Sequence, residues 1–278
     1  MLHQLKNKLH KSNNQDMSLS GKVALITGGT KGIGAAIATK LVAQGASVVV
    51  NYGSDSAAAE KLVKELGGSK KALAIQGDAS KLPDIEKVVK GTVDAFGKID
   101  ILILNAGIMP MHDLEHMTEA DYQRVMDINV KGPIFLTQVR IARSLSKSEL
   151  TIKQKAMPHI PAGGKVLFVS TSLTQATNFT PGYLPYLLSK GAIEQAVRVL
   201  AKDLASKQIT INAFAPGPTA TELFLKGKPE AMINHIASLN PFGRLGDPDE
   251  VADFVALLAN DGAKWLSGQT IRINGALA

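Results

Sequence analysis

An apolar run passes directly into a glycine-rich turn in Val23-Ala24-Leu25-Ile26-Thr27-Gly28-Gly29-Thr30-Lys31-Gly32-Ile33-Gly34. The apolar residues predict a buried parallel strand. An alanine-rich segment from Ala35 to about Gln44 predicts a helix that Gly45 ends, and Ser47-Val48-Val49-Val50 predicts a second strand. In such a βαβ unit the glycines let the backbone approach a pyrophosphate, and the helix N-terminus offers it free N–H groups. The opening of the chain therefore predicts a dinucleotide-binding unit.

A second pattern lies downstream, in Tyr186-Leu187-Leu188-Ser189-Lys190. Positions i and i+4 share one face of a helix, so the phenol and the ammonium can point at the same place. A free phenol has a pKa of roughly 10, and a fixed cation nearby lowers that pKa. The pair can then move protons near neutral pH. The spacing is common on surface helices, and it becomes informative when a nicotinamide cofactor is delivered beside it.

Together these motifs resemble the classical short-chain dehydrogenase/reductase family, from about Lys22 to the C-terminus. Further motifs follow in the family's order: Gly77-Asp78-Ala79, Asn105-Ala106-Gly107, Asn129-Val130-Lys131-Gly132, and Pro216-Gly217-Pro218 with Thr219 and Thr221. The resemblance implies that Asp78 holds the adenine and that Asn129 belongs to a catalytic tetrad. It also implies that Thr221 and the backbone near Thr219 fix the nicotinamide carboxamide.

The type of cofactor is predicted from charge. An acidic residue at the end of the second strand would bind the ribose 2′-hydroxyl of NAD, but Tyr52 takes that place, and Lys31 stands in the turn where relatives contact a 2′-phosphate. We therefore expect NADP(H); an Asp55 that folds back to the ribose, with a solvated Lys31, is the alternative. The expected cofactor-binding residues are Gly28, Thr30, Lys31, Gly32, Ile33, Gly34, Asn51, Tyr52, Gly53, Ser54, Asp78, Ala79, Asn105, Ala106, Gly107, Tyr186, Lys190, Pro216, Gly217, Thr219 and Thr221.

The catalytic hydroxyl has three candidates, in Ser170-Thr171-Ser172. The family places its serine 13 or 14 residues before the tyrosine, which selects Ser172, whereas counting forward from Gly163-Gly164 favours Thr171. We predict the tetrad Asn129, Ser172, Tyr186 and Lys190, with Ser170 and Thr171 as alternatives to Ser172. The implied mechanism is hydride transfer to a carbonyl, with Tyr186 giving a proton to the developing alkoxide and Lys190 holding the ribose hydroxyls.

Composition narrows the class of protein. A chain of 278 residues with 45% hydrophobic content can bury one large α/β core. No apolar run approaches the roughly 20 residues of a membrane span, and the chain has no cysteine. The net charge of +7 is scattered rather than concentrated in a basic helix. We expect a cytoplasmic protein with neither nucleic-acid nor membrane partners. His112 and His116 lack a placed third ligand, so we expect no metal.

We expect a single Rossmann domain over residues 19–278, with a doubly wound parallel sheet of about seven strands and helices on both faces. The last strand is predicted at Gln269–Ile273, and the substrate loop at about 219–240. We expect residues 1–18 to form a basic, flexible N-terminal extension, and we predict a surface insertion near residues 144–160. Resemblance to the family implies a homotetramer or dimer.

The predicted function is reduction of a ketone with NADPH. Phe179, Tyr183 and Leu184 are expected to face Leu223–Leu225 across the substrate, an apolar lining that suits a polycyclic phenol or quinone. The alternatives are a 3-oxoacyl thioester reductase of fatty-acid type, an alcohol dehydrogenase working in the oxidative direction, and a non-catalytic NADP-binding regulator. The intact Tyr186 and Lys190 argue against the regulator.

Overall fold

The computed structural model describes residues 18–140 and 160–278. The predicted N-terminal extension and the predicted insertion lie outside the described residues, apart from positions 18 and 160 at their ends. Seven strands form one sheet, at β1 Val23–Thr27, β2 Ser47–Tyr52, β3 Ala72–Gln76, β4 Ile101–Leu104, β5 Lys165–Val169, β6 Thr210–Pro216 and β7 Thr270–Ile273. Their order is β3-β2-β1-β4-β5-β6-β7, and every pairing is parallel. The predicted fold class is confirmed, and the last strand begins one residue later than predicted.

Helices connect the strands and cover both faces of the sheet. They span α1 Gly32–Ala43, α2 Ser56–Glu65, α3 Leu82–Phe96, α4 Glu119–Met126, α5 Gly132–Arg140, α6 Leu184–Leu204, α7 Glu222–Leu225, α8 Glu230–Ser238 and α9 Pro248–Ala259. A π-helical turn, Asp127–Lys131, joins α4 to α5, and short 3₁₀ turns lie at Ser172–Thr174, Ala205–Lys207 and Asp261–Ala263.

Two apolar clusters bury the faces of the sheet. On one face, α1 and α9 pack through Ile37, Leu41 and Val255. On the other face, α3, α5 and α6 contribute side chains such as Val88, Leu136 and Val197. Because β1 lies between β2 and β4, the chain reverses its winding direction there, and parallel sheets bind ligands outside the carboxyl ends of their strands at such a point. Among the described helices, none is long and apolar enough to cross a membrane.

Candidate active site

A cavity of about 640 Å³ opens at the carboxyl ends of the central strands. Of the predicted site residues, it is lined by Gly28, Lys31, Gly32, Ile33, Asn105, Ala106, Gly107, Tyr186, Lys190, Pro216, Gly217, Thr219 and Thr221. These residues come from the turn after β1, the segment after β4, helix α6 and the loop after β6. The fold thus brings residues almost 200 positions apart to one cavity.

The glycine-rich turn has the backbone that its sequence predicts. Gly28 and Gly32 have φ values of +59° and +52°, a region that glycine adopts without strain. A Cβ atom on Gly34 would overlap the carbonyl oxygen of Gly28, so this position brings helix α1 against the turn. No side chain caps α1, and its first turn holds no acidic residue. Its N-terminal N–H groups are therefore suited to a phosphate.

Lys31, at the start of α1, lies between two carboxylates. Its Nζ is 2.7 Å from Asp55 Oδ2 and 3.3 Å from Glu222 Oε2, and all three side chains are largely exposed. The hydrogen bond with Asp55 raises the pKa of Lys31 and lowers the pKa of Asp55. Asp55 also caps α2, because it accepts a hydrogen bond from Ala58 N at 3.0 Å. Sequence reasoning considered Asp55 and missed Glu222, whose proximity depends on the fold of the loop after β6.

The residues after β2 and β3 lie to one side of the main cavity. Asn51 Nδ2 donates to Gly77 O at 2.8 Å, so its side chain joins β2 to the turn after β3 instead of facing the cavity. The Asp78 carboxylate accepts hydrogen bonds from the backbone and hydroxyl of Ser80, which lower its pKa. Asn51, Asp78 and Ala79 line a narrow second cavity of about 10 Å³. Thr30, Tyr52, Gly53 and Ser54 line neither cavity.

Thr27 organises the segment after β4, a role that the sequence analysis missed. Its buried Oγ1 accepts hydrogen bonds from Asn105 N at 3.0 Å and from Ala106 N at 3.1 Å. Asn105 Nδ2 donates in turn to Gly28 O at 3.0 Å. These contacts join the end of β1 to the segment after β4, beside the glycine-rich turn.

Tyr186 and Lys190 lie one turn apart on α6, as the spacing predicts. Lys190 Nζ is 5.6 Å from the centroid of the Tyr186 ring, and it donates to Val169 O at 3.0 Å. Burial raises the pKa of Tyr186 to about 12, and a hydrogen bond with Thr171 opposes that rise. Burial also lowers the pKa of Lys190 to about 8. Burial is the largest cause of both shifts, so the net pKa of the Tyr186 phenol is raised.

Of the three candidate hydroxyls, that of Thr171 has the clearest relation to Tyr186. Thr171 lines the cavity together with Tyr186, and its hydroxyl lowers the pKa of the phenol. Ser172 begins the 3₁₀ turn; its Oγ is buried, and it has no hydrogen-bond partner among the described residues. Ser170 also lines the cavity, but its Oγ donates to Glu194 Oε1 at 2.7 Å. Thr171, the alternative that counting along the strand favours, is therefore better placed to act with Tyr186 than the predicted Ser172, and substitution of each residue tests the choice.

Asn129 is buried in the π-helical turn behind the cavity wall. Its Oδ1 accepts from Ile108 N at 2.9 Å, and its Nδ2 donates to Ile108 O at 2.9 Å and to Ser189 Oγ at 3.0 Å. Gly107 lies in front of it, since a Cβ atom there would be 3.3 Å from Asn129 Oδ1 and 3.6 Å from Lys190 Nζ. π-helical turns are frequent at functional sites. Both N–H groups of the Asn129 amide and one acceptor position of its oxygen hold this wall.

The loop after β6 and helices α7 and α8 form the outer wall. Thr219 Oγ1 donates to Gly217 O at 2.9 Å, and Thr221 caps α7 by accepting from Phe224 N at 3.2 Å. The ammonium nitrogen of Lys228 lies 4.5 Å from the centroid of the Phe224 ring. The other apolar lining residues include Met109, Leu173, Phe179, Tyr183, Leu223, Met232, Ile236, Leu239 and Leu277. Both predicted walls are present, although Leu184 and Leu225 do not line the cavity.

Two histidines, His112 and His116, are the candidates for a metal site, and each lies near a carboxylate. His116 pairs with Asp113 at 2.6 Å, and His112 lies 3.7 Å from Asp121. Within residues 18–140 and 160–278, no group of three or more His, Asp or Glu side chains is arranged to hold a metal ion.

Comparison with known proteins extends over nearly the whole chain. The sequence model of a family described as Enoyl-(Acyl carrier protein) reductase matches residues 28–277. A short-chain dehydrogenase/reductase of Pestalotiopsis microspora is 36% identical over 269 residues, covering 92% of this chain and 95% of the relative. The versicolorin reductase stcU of Emericella nidulans is 36% identical over 276 residues, covering 95% and 98%. A solved short-chain dehydrogenase from Burkholderia cenocepacia J2315 in complex with NADP superposes with a TM-score of 0.81 and 30% identity, covering 93% and 98%.

Proposed function

Since the chain belongs to the short-chain dehydrogenase/reductase family, we propose that it reduces a bulky, largely apolar ketone to an alcohol with NADPH. The family makes the chain an oxidoreductase that uses a nicotinamide dinucleotide; the direction, the substrate and the NADPH preference are the proposal. The observation that carries it is the position of Thr171, Tyr186 and Lys190, which line one cavity with apolar walls.

The residues around the glycine-rich turn fit a phosphorylated dinucleotide. The uncapped N-terminus of α1 suits a pyrophosphate, and Lys31 offers a cation where a 2′-phosphate would lie. Gly107 leaves the space in front of Asn129 and Lys190 free of side-chain atoms. Bound there, the nicotinamide supplies the hydride. Asp55 and Glu222 form ion pairs with Lys31 and therefore compete with a 2′-phosphate for its ammonium. The preference for NADPH depends on how far the phosphate displaces these two carboxylates from Lys31.

The proton chemistry belongs to Tyr186 and its neighbours. The phenol is protonated at neutral pH, since burial raises its pKa to about 12. A developing alkoxide is a stronger base than a phenolate and can therefore take this proton. The Thr171 hydroxyl supplies a second donor to the same oxygen. Lys190, fixed by Val169 O, brings a cation within 5.6 Å of the phenol ring and stabilises negative charge that develops there.

The apolar side chains that line the cavity indicate the class of substrate. Phe179, Tyr183 and Phe224 with several aliphatic side chains provide mostly apolar contacts, and apolar area is what a flat polycyclic phenol or quinone buries on binding. The relative named versicolorin reductase supports this class. The spacing of four residues between Tyr186 and Lys190 argues against an enoyl reductase, which would have a longer one.

The test is oxidation of NADPH, with NADH in parallel, against quinones, polycyclic phenolic ketones, 3-oxoacyl thioesters and sugars. We expect turnover of the flat aromatic ketones with NADPH. Tyr186→Phe should lower kcat by about a thousandfold and still bind NADPH. Preferential turnover of 3-oxoacyl thioesters would replace the substrate class, and tight NADPH binding with no turnover would favour a regulator.

A second variant tests the substrate wall. Phe224→Ser is expected to raise KM for aromatic ketones several-fold while KM for NADPH stays unchanged. Leu257→Ser, which changes an exposed apolar side chain on α9, is the control. An unchanged substrate preference in Phe224→Ser would count against the apolar-wall argument. The homo-oligomer and the cytoplasmic location stay predictions, and sedimentation of the purified chain tests the first of them.

A further inference from the structure

Three side chains of α6 reach the same short segment of chain. Tyr186, Lys190 and Glu194 follow one another at intervals of four residues, which places them along one face of the helix. Tyr186 lines the same cavity as Thr171, whose hydroxyl lowers the pKa of the phenol, and Lys190 donates to Val169 O at 3.0 Å. The Tyr186 and Lys190 contacts belong to the site described above. The third side chain, Glu194, has no part in the mechanism proposed for that site.

Glu194 binds both sides of the candidate hydroxyl. Its Oε1 lies 2.7 Å from Ser170 Oγ and 2.7 Å from Thr174 Oγ1, and both hydroxyls are positioned to donate. Thr174 Oγ1 is also 2.9 Å from Thr171 O. One carboxylate oxygen therefore connects the residue before Thr171 to the residue three positions after it.

This connection matters because the segment has little other regular structure. Strand β5 ends at Val169, and only a single 3₁₀ turn, Ser172–Thr174, follows. Thr171 lies between them in an extended conformation with φ −151°. A loop residue moves more freely than a residue within a strand or helix. Two hydrogen bonds to one oxygen of Glu194 tie Ser170 and Thr174 to helix α6, so Glu194 is well suited to hold this loop.

We propose that Glu194 is a positioning residue, which fixes the Ser170–Thr174 segment so that the Thr171 hydroxyl meets Tyr186. The inference rests on the proposed function, since Thr171 and Tyr186 act there as the two proton donors. Glu194 transfers no proton in this role. It acts only by accepting hydrogen bonds from the Ser170 and Thr174 hydroxyls, which hold the segment in place. An amide oxygen at the same place can make the same contacts.

The experiment compares Glu194→Ala and Glu194→Gln with the wild type in kcat, KM for NADPH and thermal stability. For Glu194→Ala we expect kcat to fall by about tenfold to a hundredfold, with KM for NADPH within about twofold because the cofactor contacts are untouched. For Glu194→Gln we expect kcat within about threefold of the wild type, because the side-chain oxygen still accepts both hydroxyls. The control is Asp203→Ala, which removes an exposed carboxylate from the same helix.

Crystal structures of the wild type and of Glu194→Ala separate this inference from the proposed function. We expect the Thr171 hydroxyl to lie farther from the Tyr186 phenol oxygen in the variant than in the wild type, whatever substrate the protein takes. An unchanged position of the Thr171 hydroxyl in Glu194→Ala would overturn the inference, and so would an unchanged kcat with a lowered melting temperature. A wild type without reductase activity would overturn the proposed function, and the crystallographic result would still decide the role of Glu194.

Discussion

The hydroxyl of Thr171 lowers the pKa of the Tyr186 phenol, across a loop that separates the two residues by 15 positions, and both residues line the same cavity. This relationship singles out one of three adjacent hydroxyls as the one suited to act with the phenol. Ser172 follows directly in the sequence, but its hydroxyl is buried and has no partner among the described residues. Two donors converging on one oxygen form the arrangement that stabilises a developing oxyanion.

Substitutions at Thr171 and Ser172 test this assignment. Thr171→Val keeps the shape of the side chain and removes the donor, so we expect kcat to fall by about a hundredfold or more. Thr171→Ser should stay within about tenfold of the wild type, because the hydroxyl is retained. Ser172→Ala is the matched control and should leave kcat unchanged. A large loss in Ser172→Ala, with an active Thr171→Val, would return the role to Ser172.

A second prediction concerns the buried ammonium of Lys190, whose pKa is about 8 in the folded chain against an ordinary value of 10.5. Between these pH values the unfolded chain binds a proton that the folded chain has lost, so the free energy of unfolding rises with pH there. Lys190→Met abolishes this contribution. The difference in unfolding free energy, wild type minus variant, should therefore rise by on the order of 3 kcal/mol between pH 7 and pH 10.5.

Chemical denaturation at a series of pH values measures this difference. Lys202→Met, which removes an exposed ammonium from the same helix, is the control, and its difference from the wild type should change little with pH. Lys190→Met should have no reductase activity at any pH. A difference that is flat from pH 7 to pH 10.5 would show that the Lys190 ammonium is solvated in the folded chain.

A third prediction follows from the two carboxylates around Lys31. If Lys31 binds a 2′-phosphate, Lys31→Ala should raise KM for NADPH about tenfold and leave KM for NADH nearly unchanged. Asp55→Asn should lower KM for NADPH, because it removes a negative charge. Asparagine still caps α2, so the fold is preserved. Steady-state kinetics with both cofactors gives these ratios. Equal effects of Lys31→Ala on the two cofactors would contradict a phosphate contact.

The sequence predicts the parts of the site that local chain geometry determines. The strand, the glycine-rich turn and helix α1 follow from about 20 consecutive residues, and the Tyr186–Lys190 spacing follows from the pitch of one helix. Counting along β5 from Gly163-Gly164 also favours Thr171. That count follows a regular strand, whose register places Lys165 opposite Ile101. Counting back from Tyr186 crosses an irregular loop, and it selects Ser172.

The remaining features depend on contacts between distant segments. The raised pKa of Tyr186 comes from burial. The extent of burial cannot be inferred from the spacing of two residues along a helix. Asn51 joins the turn after β3 through Gly77, although its place after an apolar strand resembles that of a cofactor contact. Glu194 acquires its role from Ser170, 24 positions away. In each case the chemistry of the residue is visible in the sequence and its partner is not.

The last prediction contrasts two glycines. A Cβ atom on Gly34 would overlap Gly28 O and lie 2.7 Å from Asn105 Nδ2, so Gly34→Ala must push α1 away from the turn. We expect it to lower the free energy of unfolding by about 1–3 kcal/mol and to weaken NADPH binding.

Gly191 is the matched control for Gly34, because it lies inside α6 with no atom within 4 Å of an added Cβ. Gly191→Ala should raise the free energy of unfolding by about 0.5–1 kcal/mol, since alanine loses less backbone entropy in a helix. Denaturation curves and NADPH fluorescence titrations measure both effects. A Gly34→Ala variant as stable as Gly191→Ala, with unchanged NADPH binding, would mean that α1 does not need to lie this close to the turn, and the assignment of the turn as the pyrophosphate site would lose its structural support.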